Sequence, residues 1–309
     1  MAQMVVELRN VSKKRKSKTI GPLDLTLPEG HIIALVGQNG SGKSTLLHML
    51  MKLAYPDEGT ILWFGGSFDG GLPLEVRRTI AYVAEAPAHE EDHWTPEEAA
   101  SFRSHWYPEW DGGFFQEMLD KFEVPRGSRL GKMSKGERRK FEIAAALAAG
   151  PKLLLLDEPS SGLDPFAWKI MIETFQRYMD ERQATIIIST HIVEEVRRLA
   201  DYIVLLHHGK LLGMAEKDSL LGMWNEVWVD AKDEEELAEL AAELPEALEL
   251  SMQAPGMASM ITSRLPDLEK RFAHLGVKKI KSRSLDLEEI LSLWTMGHRP
   301  DLVDLRRGD

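Results

Sequence analysis

Gly37-Gln38-Asn39-Gly40-Ser41-Gly42-Lys43-Ser44-Thr45 is the stretch on which the reading of this chain turns. Before it runs Ile32-Ile33-Ala34-Leu35-Val36, a continuous apolar segment of the kind seen in strands buried on both faces. After it, Ser44 to Leu53 has helical spacing. Strand, glycine-rich turn and helix in this order fit G-x-x-x-x-G-K-[ST]. The glycines let backbone N–H groups turn inward around phosphate oxygens, and the helix N-terminus adds a favourable dipole. Lys43 would then reach the β and γ phosphates of a nucleotide, and the Ser44 hydroxyl would ligate magnesium. Residues Gly37, Gln38, Asn39, Gly40, Ser41, Gly42, Lys43, Ser44 and Thr45 are the candidate phosphate cradle. A chance glycine-rich loop with a stray lysine fits less well, because both flanking elements are in place.

Working outward, Val5 to Leu8 reads as a strand, Leu23 to Leu27 alternates as a half-buried strand, and Pro28-Glu29-Gly30 is a turn. From Glu85 to about Gly150 the pattern is mostly helical, with Thr95 placed to cap a helix opening at Pro96. Leu153-Leu154-Leu155-Leu156 is a second buried strand, and it ends in Asp157-Glu158. There Asp157 can help fix the metal and Glu158 can polarise an attacking water as general base. Taken alone, a core strand ending in acids before Pro159 would be an even alternative; downstream of a phosphate loop it is not. A helix from Phe166 to Arg182, a strand from Thr185 to Ser189, a helix from Val193 to Ala200 and a strand from Tyr202 to Leu206 complete a βαβ rhythm. The fold expected is α/β. Beyond Gly222 come Val227–Val229, Asp233–Leu244, Glu249–Gln253, Ala258–Thr262, Asp267–Leu275, Val277–Ser282 and Leu287–Trp294. They predict a small α+β domain over 223–309, after a main domain over 1–222.

The chain has 309 residues, enough for one large domain and a smaller one. A net charge of −11 argues against a general nucleic-acid binder, and the basic run Lys13 to Lys18 reads as a solvated turn. With no cysteine, disulfides and cysteine-ligated metals are excluded. The first residues lack the apolar core of a secretory signal, and no apolar run approaches the roughly 18–20 residues that span a bilayer. Work at a membrane would need a membrane part supplied by another polypeptide.

Met133-Ser134-Lys135-Gly136-Glu137 resembles the L-S-G-G-Q signature of ABC ATPases and lies between the two nucleotide motifs. Ser161-Gly162-Leu163-Asp164 resembles that family's D-loop, and Ser189-Thr190-His191 its switch-histidine loop. The resemblance covers about residues 4–222. It implies a P-loop, RecA-like α/β core with an antiparallel β edge and a helical subdomain at about 85–150. It implies ATP and Mg2+ as cofactors, bound between two subunits of a homodimer or heterodimer. Lys43, Ser44, Glu158 and His191 of one subunit would face Ser134 and Gly136 of the other, with Asp164 in the nucleotide-binding set. It also implies a separately encoded membrane permease as partner, no nucleic acid, and a cytoplasmic position on the inner face of the cell membrane. The signature residues can donate to a γ-phosphate, so ATP but not ADP would hold two subunits together.

The chain departs from the family pattern in three places. Glu85 stands at the Q-loop glutamine, where a carboxylate can approach magnesium but cannot donate as an amide does. Arg15 stands where an aromatic stacks on adenine, and its guanidinium plane can stack instead. Lys135 and Glu137 replace Gly and Gln in the signature, which, with Trp106-Tyr107-Pro108-Glu109-Trp110-Asp111, resembles a subgroup of bacterial exporters. His89-Glu90-Glu91-Asp92-His93 has metal-ligand residue types but reads as a solvated loop. Trp94, Phe102, Trp106 and Trp110 fit equally a subdomain core or a groove for a permease helix. The function expected is the energy-coupling ATPase of an exporter. A soluble ABC ATPase acting on ribosomes or DNA is the alternative, and a P-loop kinase or GTPase is disfavoured by the signature and His191.

Overall fold

A computed structural model of the chain describes residues 3–15, 18–300 and 302–303. They form two compact units, residues 3–214 with 302–303, and residues 215–300.

In chain order the first unit holds β1 (Met4–Arg15), β2 (Lys18–Pro28), β3 (Ile32–Val36), α1 (Lys43–Leu50), β4 (Glu58–Trp63), β5 (Gly66–Ser67), α2 (Leu74–Arg77) and β6 (Ile80–Val83). The helical part follows, with α3 (Pro96–Ser104), α4 (Gly112–Lys121) and α5 (Lys135–Ala148). Then come β7 (Leu153–Asp157), α6 (Pro165–Arg182), β8 (Thr185–Thr190), α7 (Val193–Leu199), β9 (Tyr202–His207) and the start of β10 (Lys210–Glu216). One sheet has the order β10-β9-β3-β8-β7-β6, with parallel pairing from β9 through β6. The other, β2-β1-β4-β5, is antiparallel.

Every residue of β3, β7 and β8 is buried, which is why these strands read as unbroken apolar runs. Period-two alternation splits them between two cores. Leu154, Leu156, Ile186 and Ile188 face the helical side with Phe141, Phe175 and Met171. Leu153, Leu155, Ile33, Leu35 and Ile187 face the antiparallel sheet and α1, with Leu8, Leu27, Leu46 and Trp63. Burying each such side chain stabilises the fold by roughly 1.5–3 kcal/mol, so truncating one strips a whole layer contact.

Local chemistry sets the helix starts. Thr95 and Glu98 form a capping box ahead of α3, Asp111 caps α4, and Ser134 and Glu137 form a second capping box ahead of α5. Helix α1 ends at Leu50, short of the Leu53 that apolar spacing predicts. Lys52 turns left-handed (φ 51°) and spends its ammonium on the carbonyls of Phe68 and Gly70, leaving Leu53 exposed. Strands β4, β6 and β10 escape the pattern reading: β6 has four residues, and β10 is interrupted by Gly213 (φ 144°). The basic run is no turn for the most part. Lys13, Lys14 and Arg15 belong to β1 and Lys18 to β2, with Lys13 Nζ 2.8 Å from Asp57; Lys16 and Ser17 lie outside the described residues.

The second unit contains α8 (Lys217–Leu220), β11 (Asn225–Val229), α9 (Glu234–Glu243), β12 (Leu248–Ala254), β13 (Met257–Thr262), α10 (Leu265–Leu275), β14 (Lys279–Ser284) and α11 (Leu287–Thr295). Its sheet order β12-β13-β11-β14 with antiparallel neighbours makes a split βαββαβ unit. Val227, Val229, Ala258 and Met260 bury one sheet face against Leu268 and Phe272. The other face carries Trp228, with Lys281 Nζ 4.1 Å from its ring centroid.

Candidate functional site

The parallel strands set the site's position, because their carboxyl ends lie side by side. Val36 pairs with Thr190 and Asp157 with Ser189, so the loops leaving β3, β7 and β8 converge. Crevices at that edge are where open α/β sheets bind ligands. Gly37 leaves β3 packed so closely that a Cβ there would stand 2.2 Å from the Leu206 carbonyl oxygen. Gly42, the N-cap of α1, has φ 114°, a conformation that only glycine takes without strain. The loop thus wraps back on itself with the N-terminus of α1 at its centre. Lys43 is buried there; its Nζ donates to the Gly37 carbonyl at 2.7 Å and lies 3.5 Å from Glu158 Oε1.

Asp157 is buried and accepts from the Ser189 hydroxyl at 2.7 Å. Glu158 follows it with φ 47°, and its N–H donates to the Ser189 carbonyl. This left-handed step, uncommon for a residue with a side chain, turns the carboxylate back toward the glycine-rich loop. His191 Nδ1 lies 2.9 Å from Glu158 Oε2. Behind them the Ser160 hydroxyl donates to Glu195 Oε1, whose other oxygen is buried without a hydrogen-bond partner. Burial raises the Glu195 carboxyl above the ordinary range against the opposing hydrogen bond of Ser160, with the negative Glu158 adding to the rise.

An open cavity of about 770 Å³ lies over these groups. Of the residues singled out in the sequence, Arg15, Asn39, Gly40, Gly42, Lys43, Ser44, Thr45, Glu85, Glu158, Ser161, Gly162 and His191 line it. Gly37, Gln38, Ser41 and Asp157 are not part of its lining. Ser134, Gly136 and Asp164 do not line it either. Ser134 heads α5, and Asp164 caps α6 by accepting from the N–H groups of Phe166 and Ala167. Those bonds, the one from Ala167 foremost, hold the Asp164 carboxyl below its usual range. The signature instead packs against the loop after Glu158: Lys135 Nζ donates to Ser161 Oγ at 2.7 Å. A Cβ on Gly136 would stand 2.6 Å from the Gly162 carbonyl oxygen.

A family profile described as ABC transporter matches residues 20–161. NatA, an ABC transporter ATP-binding protein of Bacillus subtilis (strain 168), is 32% identical over 219 residues, covering 67% of this chain and 86% of that protein. A Nod factor export ATP-binding protein I of Rhizobium sp. (strain N33) is 30% identical over 235 residues, covering 72% and 74%. The chain belongs to the ABC transporter ATP-binding proteins. A solved ATP-binding subunit of an ABC transporter superposes with a TM-score of 0.61 at 29% identity, covering 70% of this chain and 91% of that one. The ATP-binding subunit is an α/β ATPase that drives transport, and subunits of its family work at membranes with permease components. Among the described residues no helix is long and apolar enough to cross a membrane.

The four aromatics of the helical part divide into a packed pair and an exposed pair. Trp94 and Trp110 pack against the core, whereas Phe102 (48% exposed) and Trp106 (54%) stand with Leu74 in a groove of about 380 Å³. The segment around His89 is more than a solvated loop, because Glu91 and Asp92 are paired with Arg103 and Arg138 of the helices. Sequence reasoning missed Lys18 and His48 in the cavity and Glu195 behind it. Glu195 had a signal: it precedes Val196 on the buried face of α7, where an acid is out of place.

Proposed function

We propose that this subunit binds ATP with Mg2+ around Lys43 and hydrolyses it between two copies arranged head to tail. It energises export through a separately encoded permease on the cytoplasmic face of the cell membrane. The observation that carries the reading is the convergence of Lys43, Glu158 and His191 at the ends of three adjacent parallel strands. Lys43 exchanges Glu158 and the Gly37 carbonyl for the β and γ phosphates, which the loop N–H groups cradle. Glu158 takes a proton from water as the water oxygen bonds to the γ-phosphorus, and the bond to the bridging oxygen of ADP breaks. His191 holds the γ-phosphate by a hydrogen bond and loses that contact once phosphate leaves.

The hydroxyl of Ser44 and the carboxylates of Asp157 and Glu85 are hard oxygen donors, two at the cavity wall and one beneath it, and they fit Mg2+. The ion supplies charge neutralisation at the β and γ phosphates. Arg15, on the cavity wall, stacks on the base. Ser134, Gly136 and Asp164 stand outside the cavity of their own subunit, which suits service to the nucleotide of the other. The exposed Leu74, Phe102 and Trp106 fit a helix of the permease. Export follows the Nod factor exporter among the relatives, and the net charge of −11 disfavours nucleic acid.

The docking part is tested by Phe102→Asp with Trp106→Asp in cells. The doubly substituted subunit is expected to leave the membrane fraction at least about tenfold more than the wild type, since apolar anchors dominate such contacts. Unchanged sedimentation with membranes would refute this docking.

A further inference from the structure

Helix α5 carries two buried, consecutive arginines that the hydrolysis scheme does not use. Arg139 donates from Nη1 to the Ala84 carbonyl at 2.7 Å and from Nη2 to the Glu85 carbonyl at 2.6 Å. Arg138 donates from Nη2 to the Ala88 carbonyl and from Nη1 to Asp92 Oδ1, both at 3.1 Å. Its Nε donates to Glu142 Oε1 at 2.7 Å, and Glu142 Oε2 lies 2.8 Å from Arg103 Nη1. The segment 84–92 leaves β6, has no strand or helix of its own, and is therefore pinned near both ends by one helix. A planar guanidinium gripping two successive carbonyls fixes the peptide plane between them, and so the direction in which Glu85 leaves the backbone. Cations are left buried only where their donors are used, and here the partners are loop carbonyls, joined for Arg138 by the carboxylates of Asp92 and Glu142.

We propose that Arg139, backed by Arg138, is a positioning residue that locks the Glu85 segment to the signature helix, so that Glu85 and Ser134 move as one body. The inference rests on the reading that Glu85 faces nucleotide and metal. Ser134 is the N-cap of the same helix, one turn before Arg138 and Arg139. A displacement of α5 toward a second nucleotide therefore carries Glu85 with it, and each subunit senses two nucleotides through one rigid helix. Arg103 also lines the apolar groove beside Phe102 and Trp106, so an occupant there bears on Glu142 and, through Arg138, on the same loop.

The test is a double-substitution cycle in the full chain with Arg139→Lys, which keeps the charge but cannot grip two carbonyls at once, and Glu85→Ala. Arg139→Lys is expected to lower kcat about tenfold and raise the Mg2+ needed for half-maximal rate, with KM for ATP within about threefold of wild type. Without nucleotide, amide hydrogen exchange in 84–92 should quicken while that of α1 stays unchanged. The double variant should be no slower than Glu85→Ala alone, because the arginine acts through that residue. Losses that multiply, or unaltered exchange in 84–92, overturn the positioning role. If Glu85→Ala itself leaves kcat and the Mg2+ dependence unchanged, the placement of Glu85 at the nucleotide fails first. Arg138→Lys provides the same readouts at the other end of the segment should Arg139→Lys not fold.

Discussion

Lys43 Nζ lies 3.5 Å from Glu158 Oε1, with both side chains nearly enclosed. The ammonium and the carboxylate, both lining the cavity, thus compensate each other's charge. A buried charge without a partner is costly, and this pairing lets the site hold both. On the proposed function, a triphosphate would give the ammonium a stronger partner and free the carboxylate to accept a proton. Lys43→Ala should therefore abolish ATP binding, raising Kd at least about 100-fold by isothermal titration. Undiminished affinity would remove the glycine-rich loop from the site.

The contact of Gly136 with Gly162 gives a second expectation. The neighbour is a backbone oxygen, so a side chain at Gly136 must push the signature away from the loop after Glu158. Gly136→Val should cut ATP hydrolysis at least about tenfold, while the Kd for ATP of the isolated subunit stays within about threefold, since the phosphate cradle is untouched and Gly162 is the lining residue that Gly136 presses on. A parallel loss of binding would place Gly136 in its own subunit's nucleotide site instead.

Glu195 supplies a pH dependence. Burial raises its carboxyl in the folded chain, so the folded state holds the proton more tightly than the unfolded one. Its stabilising contribution is present below the ordinary glutamate value and is lost as pH rises through the raised one. Glu195→Gln keeps the shape and the acceptor for Ser160 but carries no charge. Its melting temperature relative to wild type should rise between pH 5 and pH 8, on the order of 2–4 °C per kcal/mol of charge burial avoided. Equal differences at both pH values would show that Glu195 does not titrate across that range.

The glycine-rich loop was legible because strand, turn and helix announce themselves locally, and β7 because a strand buried on both faces cannot alternate. The signature was legible as a motif, but its packing on Gly162 was not, since nothing local encodes a contact between residues so far apart in sequence. The left-handed turn at Glu158 was equally hidden: an acid after a strand does not reveal its φ. Arg138 and Arg139 look like an ordinary solvated pair, yet the carbonyls of Ala84, Glu85 and Ala88, left without strand partners, draw them inward. In the second unit the elements could be read in order. Their arrangement as β12-β13-β11-β14 could not, because periodicity gives a strand its faces and not its neighbours.

Hydrolysis between two copies is tested most directly by Glu158→Gln. Removing the base should slow hydrolysis on the order of 10²–10⁴-fold and leave the phosphate cradle intact. Sedimentation of the purified variant should show a dimer with ATP and Mg2+ and a monomer with ADP. A monomer under both conditions would contradict the shared site.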